Sequence, residues 1–285
     1  MIPYPGFDKI AFEIGPFGHY GPLKVHWYGI MYLVAFAVAW TLGRVRAMRP
    51  GSTWKPVDID DFMFFGMLGT ILGGRIGYVL FYGLSFWTSK NPWYPIKVWD
   101  GGMSFHGGLL GVLIAFAIFA VRRKRRIADV FDFAAPLPGL GICAVRIGNF
   151  INGELWGKPT DVSWAFVVDG VPRHATQLYE AALEGVLLFT ILWWFTAKPR
   201  PRMSPTGLFL VIYSLARIAV EFWRLPDEHI NYLAGGWVTM GMLLSLPMLL
   251  IGLTLLFMAY RRREPSGNFS AALPAASMPL AKHAP

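Results

Sequence analysis

The sequence has few of the residues that build disulfide-rich or metal-binding domains. Its 285 residues include one cysteine, Cys143, which excludes an internal disulfide and a metal site built on cysteines. The six histidines are scattered, and no two of them share a helical turn. These absences exclude a disulfide-stabilised fold and argue against a metal centre.

Charged residues are also scarce, at 15% of the chain. Hydrophobic residues make up 55% and aromatic residues 16%, and the mean hydropathy is +0.45, all well away from an average soluble domain. The net charge of +9 lies mostly in short runs at the ends of apolar segments. That distribution is typical of membrane topology and argues against a nucleic-acid surface, so the composition predicts an integral membrane protein.

Seven apolar segments are long enough to cross a hydrocarbon core of about 30 Å as helices. The predicted spans cover residues 26–42, 62–82, 103–122, 130–150, 177–195, 207–223 and 237–260. We predict an all-α, polytopic membrane bundle over residues 26–263, which includes a loop at 151–173. Residues 1–25 lack the features of a signal peptide and predict an ordered interfacial arm. The Ala-, Pro- and Ser-rich tail at 264–285 predicts disorder.

Four basic stretches set the predicted orientation. GRVRAMRP, RRKRR, AKPRPR and RRRE follow spans one, three, five and seven. They lie on one side if the spans alternate, and the positive-inside rule makes that side cytoplasmic. The N-terminus, the arm and the loop at 151–173 are then expected on the periplasmic side, and the C-terminus in the cytoplasm.

The unusual polar residues gather near the outer ends of these spans. They are Tyr28, His106, Arg146, Asn149, Glu154, His174, Gln177, Glu180, Arg217 and Glu221. Arg217 and Glu221 are four residues apart and share a helix face with Tyr213, and Glu180 and Glu184 share a face in the same way. Interhelical ion pairs could explain part of this pattern. Because intramembrane charge is costly, its concentration in one layer favours a functional site.

His106 has two interpretations on the sequence alone. It stands in SFHGGLLG, where small residues usually serve close packing of helices. A histidine beside such open space can instead act as a base at neutral pH. The residues favour packing for the glycines and leave the histidine undecided.

Six motifs resemble those of the bacterial prolipoprotein diacylglyceryl transferases. They are HWYG at 26–29, GGRIGYVLFY at 73–82, WDGGMSFHGGLLG at 99–111, RIGNFINGELWG at 146–157, RHATQLYE at 173–180, and the series Tyr213, Arg217 and Glu221. The resemblance covers about residues 5–263. It implies transfer of the diacylglyceryl group of phosphatidylglycerol to the lipobox cysteine thiol of a preprolipoprotein. A thioether forms and glycerol 1-phosphate leaves, as the first step of lipoprotein maturation.

The same resemblance implies a multi-pass enzyme of the bacterial inner membrane, with its active site toward the periplasm. No metal or organic cofactor is expected, nor nucleic acid; the partners are the two substrates and membrane lipids, and we expect a monomer. The positions that match the family's site residues are Tyr28, His106, Arg146, Asn149, Glu154, Gly157, Tyr213, Arg217 and Glu221. Arg146 matches the residue that binds phosphatidylglycerol. Arg75 is either a second phosphate contact or the partner of a buried carboxylate.

Two residues depart from the family pattern. Val145 replaces the usual glycine before the arginine, and Ala175 stands where proline is commoner. The loop between Trp156 and Arg173 is also shorter than in some members. We expect Val145 to alter packing and to leave Arg146 in place, while the short loop affects contacts with the protein substrate.

The residue types suit this reaction. A thiol with a reference pKa of about 8.5 is mostly protonated at neutral pH, so a base is needed; His106 is our hypothesis, with Glu154 and Glu221 as alternatives. Arg146 and Arg217 can meet the phosphate of the leaving group. Asn149 can bind the glycerol head group, and Tyr28 can orient the phosphate or the base. The substrate supplies the nucleophile, so Cys143 has no required role.

Other functional classes fit less well. A transporter of anionic solutes usually has internal repeats and a site at the midplane, and the sequence shows neither. A lipid-binding scaffold would explain the basic loops, but it would not explain the histidine and carboxylates on the opposite side. An intramembrane protease would need a serine–histidine pair or paired aspartates at this depth, and we find neither arrangement.

Overall fold

Six long apolar helices and one bent helix pair make up most of the structure, a computed structural model that describes residues 1–16, 21–84, 87, 93–97, 101–226, 232–233 and 235–270. The helices are α1 (Trp27–Ala47), α2 (Pro56–Phe81), α3 (Phe105–Arg122), α4 (Ile127–Ala134), α5 (Gly139–Ile151), α6 (Thr176–Phe195), α7 (Ser204–Glu221) and α8 (Met240–Arg262). The bent pair is α4 with α5. The predicted helical membrane bundle of about seven spans is confirmed.

Two helices run further than the hydrophobic pattern predicted. Helix α1 continues five residues past Leu42, and α2 begins six residues before Phe62. The added turns carry polar residues that bond to one another, because Asp60 accepts hydrogen bonds from Trp40 at 2.7 Å and from Arg44 at 3.0 Å. The sequence prediction stops where the apolar residues stop, whereas a helix continues as long as its backbone hydrogen bonds do.

Two helices of the bundle are irregular. Helices α4 and α5 meet at an angle of 51°, and the break contains Pro136 and Pro138, which lack the backbone N–H that a continuous helix would use. Helix α6 contains a π-helical segment over Ala181–Leu187. Such segments are rare and often occur at functional sites.

The N-terminal arm is tied to the loop at 151–173 by a small sheet. Strand β1 (Ile2–Pro3) pairs in parallel with β4 (Phe166–Val168), which pairs antiparallel with β5 (Val171–Arg173), and β2 (Ile10–Ile14) pairs antiparallel with β3 (Leu23–His26). The Tyr4 hydroxyl also donates to the carbonyls of Phe150 and Ile151 at 2.9 and 3.0 Å. These contacts join the arm to the C-terminal end of α5.

Small residues set the closest helix contacts. A Cβ on Gly73, Gly107 or Gly111 would collide with the backbone of the facing helix, so α2 and α3 touch through backbone atoms. Gly207 of α7 and Gly252 of α8 face each other in a similar way. Lipid tails are as apolar as leucine, so close packing of small residues is the main attraction left between helices.

The four basic stretches gather at one end of the bundle, which we call the basic end. Arg46 of α1 donates to Thr196 after α6 at 2.6 Å, and Arg125 donates to the carbonyl of Thr53 at 2.7 Å. Arg202 pairs with Glu264 at 2.6 Å. Spans that alternate in direction bring these distant segments together.

The first residues of the C-terminal tail are ordered at the basic end, which corrects part of our expectation of disorder. Asn268 is buried, accepts a hydrogen bond from Trp54 Nε1 at 2.7 Å and donates to the carbonyl of Asp129 at 2.8 Å. Composition missed this segment because two specific hydrogen bonds hold it. The prediction for residues 271–285 lies outside the described residues, as do residues 17–20 of the predicted arm and residues 99–100 of the motif at 99–111.

Candidate active site

Three arginines and three glutamates meet at the end of the bundle opposite the basic end. We call this group the ion cluster: Arg146, Glu180, Glu184, Arg217, Glu221 and Arg224. Arg146 comes from the last turns of α5, the two glutamates from the start of α6, and the others from the end of α7 and the residues after it. Alternating helix directions bring these three helix ends to one level.

Glu180 is the centre of the ion cluster. Its carboxylate lies 2.9 Å from Nε of Arg146 and 2.7 Å from Nη1 of Arg224, and Nη1 of Arg217 also contacts it. Glu184, one turn further along α6, is more distant from its partners, at 3.6 Å from Arg217 and 3.8 Å from Arg146. A buried carboxylate is tolerated only with partners of this kind.

Glu221 closes the other side of the ion cluster. Its Oε1 lies 2.5 Å from Nη2 of Arg217, in the same-face arrangement that the four-residue spacing predicted, and 3.8 Å from Nε of Arg224. A Cβ on Gly241 of α8 would lie 2.5 Å from the same oxygen. The close approach of α8 therefore requires glycine there and keeps Glu221 in place.

The cluster is layered, with arginines above carboxylates. The side chains of Arg146, Arg217 and Arg224 are 21%, 16% and 13% exposed, while those of Glu180, Glu184 and Glu221 are 0%, 0% and 3% exposed. The accessible face is therefore guanidinium, which binds phosphate and carboxylate oxygens through paired N–H groups. The arrangement is suited to an anion that arrives from outside the bundle.

A short chain of hydrogen bonds extends the site from Arg146 to the loop after α5. Nη1 of Arg146 donates to Oδ1 of Asn149 at 3.4 Å, and Nδ2 of Asn149 donates to Oε1 of Glu154 at 2.7 Å. Gln177 donates to the backbone carbonyl of Glu154 at 2.7 Å. Asn149 is buried and Glu154 exposed, so this chain leads from the bundle interior to an accessible carboxylate.

Gly157 permits close approach of three backbone segments. A Cβ there would lie 2.5 Å from the carbonyl of Trp223 and 2.9 Å from Cβ of His174. The Gly157 amide donates to the carbonyl of His174 at 2.8 Å, and the residue forms a bridge with Arg224. Its role is therefore to hold the segment that carries Arg224 against the loop.

His174 lies beside this backbone contact, outside the spans. Burial lowers the pKa of its imidazole, so the neutral form is favoured. Its Nδ1 lies 3.0 Å from the hydroxyl of Tyr179, which accepts a hydrogen bond from Trp164 at 2.9 Å. The Tyr179 hydroxyl can therefore donate its own hydrogen to Nδ1 of His174. This hydrogen bond joins the loop to α6.

Two tyrosines border the cluster. The hydroxyls of Tyr28 and Tyr32, one turn apart on α1, are 3.2 Å from each other, and Tyr32 is close enough to Arg146 and Glu154 to interact with both electrostatically. Tyr213, one turn before Arg217, is close enough to Glu184 to interact with it electrostatically. Of the two predicted tyrosines, Tyr213 therefore borders the ion cluster, while Tyr28 is linked to it through Tyr32.

His106 and Arg75 lie apart from the ion cluster, on the α2–α3 pair. His106 is exposed in the first turn of α3, and none of the contacts found in the described part of the chain joins it to the cluster. Arg75 is buried and donates to the carbonyls of Tyr94, Pro95 and Gly101 at 2.5, 3.1 and 2.5 Å. It binds backbone carbonyls, which neither of the two sequence interpretations anticipated.

The sequence interpretation missed Arg224. It placed Glu180 in the layer of polar residues and Glu184 on the same helix face, but it assigned neither of them a role in the reaction. Arg224 follows Glu221 by three residues and Arg217 by seven, which is the spacing of one helix face. The sequence interpretation did not include it because it lies one residue beyond the predicted span at 207–223.

Across the described ranges, no group of three or more histidine, cysteine, aspartate or glutamate side chains is arranged to hold a metal ion. The groups that the ion cluster and its neighbours offer to a ligand are guanidinium, carboxylate, amide and phenol groups.

Comparison with known proteins gives the family. A family model described as prolipoprotein diacylglyceryl transferase matches residues 16–258. Proteins named phosphatidylglycerol–prolipoprotein diacylglyceryl transferase are similar along nearly their whole length. The one from Oleidesulfovibrio alaskensis is 52% identical over 93% of this chain and 97% of its own, and the one from Coxiella burnetii is 51% identical over 93% and 100%. The one from a Marinomonas species is 53% identical over 88% and 93%. The chain belongs to the prolipoprotein diacylglyceryl transferase family.

Proposed function

We propose that this protein transfers the diacylglyceryl group of phosphatidylglycerol to the lipobox cysteine thiol of a preprolipoprotein. The bond from glycerol carbon to phosphate oxygen breaks, a carbon–sulfur bond forms, and glycerol 1-phosphate leaves. Family membership supports the reaction, and the observation that carries it to particular residues is the accessible layer of three arginines above buried carboxylates.

The arginines would bind the phosphate and stabilise the charge that develops on it. Phosphatidylglycerol carries one negative charge as a diester, and the leaving monoester gains a second. Arg146 and Arg217 are already oriented by Glu180 and Glu221, so they pay little reorganisation cost when that charge appears. Arg146, the most exposed of the three, would make the first contact.

Neighbouring polar groups would position the rest of the lipid head group. Asn149 is next to Arg146 and can bond to glycerol hydroxyls, while Tyr28 and Tyr213 border the site and can orient the phosphate. Gly157 keeps the adjacent backbone in place. Arg75 would act indirectly, since it binds the backbone carbonyls of Tyr94 and Gly101.

The thiol proton needs an acceptor, and three residues are candidates. His106 is exposed and able to meet a second substrate that arrives beside α3. Glu154 is exposed and is linked to Arg146 through Asn149. Glu221 is buried and already paired with Arg217, so its carboxylate is less accessible to the thiol. We propose His106 as the base, with the two glutamates as alternatives.

We propose further that the ion cluster faces the periplasm of a bacterial inner membrane. The basic end lies at the opposite end of the bundle, and positively charged loops stay in the cytoplasm during insertion. In that orientation residues 1–25 and 151–173 are periplasmic, residues 26–263 form the membrane domain, and the protein acts as a monomer.

The test is a transfer assay with purified protein in uncharged detergent, phosphatidylglycerol and a short lipobox peptide. We expect glycerol phosphate release together with a diacylglyceryl mass gain on the peptide. A peptide with serine in place of the cysteine is the matched control and should give neither. Lipid-replete, folded protein that gives no release with the cysteine peptide would overturn the proposal and favour a lipid-binding function.

A further inference from the structure

Glu184 differs from the other two glutamates of the ion cluster in how it is bonded. It is completely buried, and neither carboxylate oxygen accepts a hydrogen bond from a donor among the described residues. Its arginine partners are 3.6 and 3.8 Å away, whereas Glu180 and Glu221 each have a guanidinium nitrogen within 2.9 Å. A buried polar group without a hydrogen bond is uncommon and calls for an explanation.

The surroundings of Glu184 come from three helices. Arg146 approaches from α5, Glu180 lies one turn earlier on α6, and Arg217 and Tyr213 approach from α7. Glu184 itself lies in the π-helical segment of α6, and Gly185 beside it packs against Cys143 with no room for a side chain. The carboxylate is shielded from solvent, and the charged and polar groups around it are these four neighbours.

Charge balance gives this carboxylate a role. Three arginines and three glutamates make the cluster neutral when all six are ionised. A phosphodiester bound to the arginines adds a fixed negative charge in a region of low dielectric, where an uncompensated charge is expensive. A proton on one carboxylate restores neutrality. Glu184 is the carboxylate whose protonation disrupts the fewest close contacts.

We propose that Glu184 takes up a proton from solvent when the phosphate of phosphatidylglycerol binds Arg146 and Arg217. The proton neutralises Glu184, so the positive charge of Arg146 and Arg217, which stay oriented by Glu180 and Glu221, balances the phosphate in its place. Glu184 is in this sense a positioning residue, because it acts through the arginines and does not touch the lipid. The proposal rests on the proposed function, since it takes the phosphate of that substrate as the ligand.

Proton uptake can be measured directly in the wild-type protein. A short-chain phosphatidylglycerol is titrated calorimetrically into the protein in uncharged detergent, without peptide, in two buffers of different ionisation enthalpy. A phosphodiester does not titrate near neutral pH, so any uptake belongs to the protein. We expect about half to one proton taken up per lipid bound, and hence an affinity that weakens by up to about tenfold per pH unit as pH rises.

Two variants assign the proton to its residue. Glu184→Gln has the shape of the protonated acid, so it should bind the lipid at least as tightly as the wild type, without proton uptake and with a flat pH profile. Glu184→Asp keeps a titratable group and should retain uptake. Glu13→Gln is the matched control on the exposed strand β2, where Glu13 pairs with Lys24 at 3.7 Å, and it should behave as the wild type.

Each outcome bears on a different claim. Lipid binding without proton uptake in the wild type, or unchanged uptake in Glu184→Gln, would overturn the role of Glu184 and leave the transferase function intact. Absence of lipid binding by folded wild-type protein would instead contradict the proposed function. The wild-type measurement decides the matter even if Glu184→Gln does not fold.

Discussion

Glu180 shows how one side chain can organise a site without facing the substrate. Arg146, Arg217 and Arg224 converge on its buried carboxylate, with Arg146 at 2.9 Å and Arg224 at 2.7 Å. An isolated buried charge would be very costly, and removal of one member of such a group leaves the others uncompensated. The arginines are therefore held in fixed positions, with their exposed edges available to a ligand.

Arg146 provides the first prediction at the residue scale. Arg146→Lys keeps the positive charge but loses the planar pair of N–H groups, so we expect kcat/KM for transfer to fall by about 10- to 100-fold, the equivalent of one lost charge-assisted hydrogen bond. The transfer assay and lipid titration measure it. Arg44→Lys, in a half-exposed pair with Asp60 at the basic end, is the matched control and should be unaffected. Equal loss in both variants would contradict a phosphate role for Arg146.

His106 provides the second prediction at the residue scale. If its imidazole accepts the thiol proton, His106→Gln should lower kcat by about 100-fold or more and leave phosphatidylglycerol binding unchanged. Glu154→Gln and Glu221→Gln, measured beside it over a range of pH, identify the alternative bases. Retained turnover in His106→Gln would exclude it as the base, and a pH profile that loses its acidic limb in Glu154→Gln would assign the role there.

At the scale of the elements, the α2–α3 contact depends on glycine. A Cβ on Gly107 would strike the carbonyl of Gly73 and lie 2.9 Å from Cα of Gly77, and backbone atoms on two packed helices cannot move aside cheaply. This pair carries both His106 and Arg75. Its geometry therefore decides where those two side chains stand.

We expect Gly107→Ala to lower the apparent thermal unfolding midpoint in detergent, with a cost of about 1–3 kcal/mol from overpacking. Gly29→Ala in α1 is the matched control: a Cβ there has open space, and alanine should be neutral or stabilise the helix by up to about 1 kcal/mol. Tryptophan fluorescence during heating measures both. A Gly107→Ala midpoint at or above that of Gly29→Ala would show that the two helices can separate without penalty.

The segment that follows α8 is a second element with a specific role. Asn268 bonds to Trp54 and Asp129, and the amide of Gly267 donates to Asp129 at 2.9 Å. Trp54 is only 2% exposed with this segment in place, and removal of the segment would take away the partner of its indole N–H. The segment therefore closes the basic end of the bundle.

Two truncations test this closure. A chain that ends after Glu264 should unfold at a lower temperature, because at least one buried donor loses its partner at a cost of about 1–3 kcal/mol. A chain that ends after Ser270 keeps every contact named above and should match the full chain. Unfolding midpoints that are the same in all three chains would refute a stabilising role for residues 265–270.

On the scale of the whole molecule, charge is separated along the bundle axis. The basic end binds its arginines to carboxylates, hydroxyls and backbone carbonyls of loops, while the ion cluster at the other end presents guanidinium groups outward. We propose that the first arrangement sets the orientation of the chain in the membrane and that the second binds the phosphate of the lipid.

Orientation is tested with single cysteines in a Cys143→Ala background. Lys124→Cys lies in the exposed turn after α3, and Asp169→Cys in the exposed turn between β4 and β5, with similar positive φ angles of 51° and 50° in the parent residues. A membrane-impermeant maleimide should label Asp169→Cys in spheroplasts and Lys124→Cys only after lysis. The reverse pattern would place the ion cluster in the cytoplasm.

The sequence by itself determined the class, a bundle of about seven spans and the family, and it predicted several residues of the ion cluster. Hydropathy and the spacing of basic runs depend on local composition, and the pairing of Arg217 with Glu221 depends on the pitch of one helix, so neither needs tertiary contacts. The tertiary structure alone decided that Glu180 is the centre of the cluster, that Arg224 joins it, that Arg75 binds carbonyls and that residues 265–270 are ordered. Each of these depends on contacts between segments 19 to 214 residues apart in the chain, which no local pattern records.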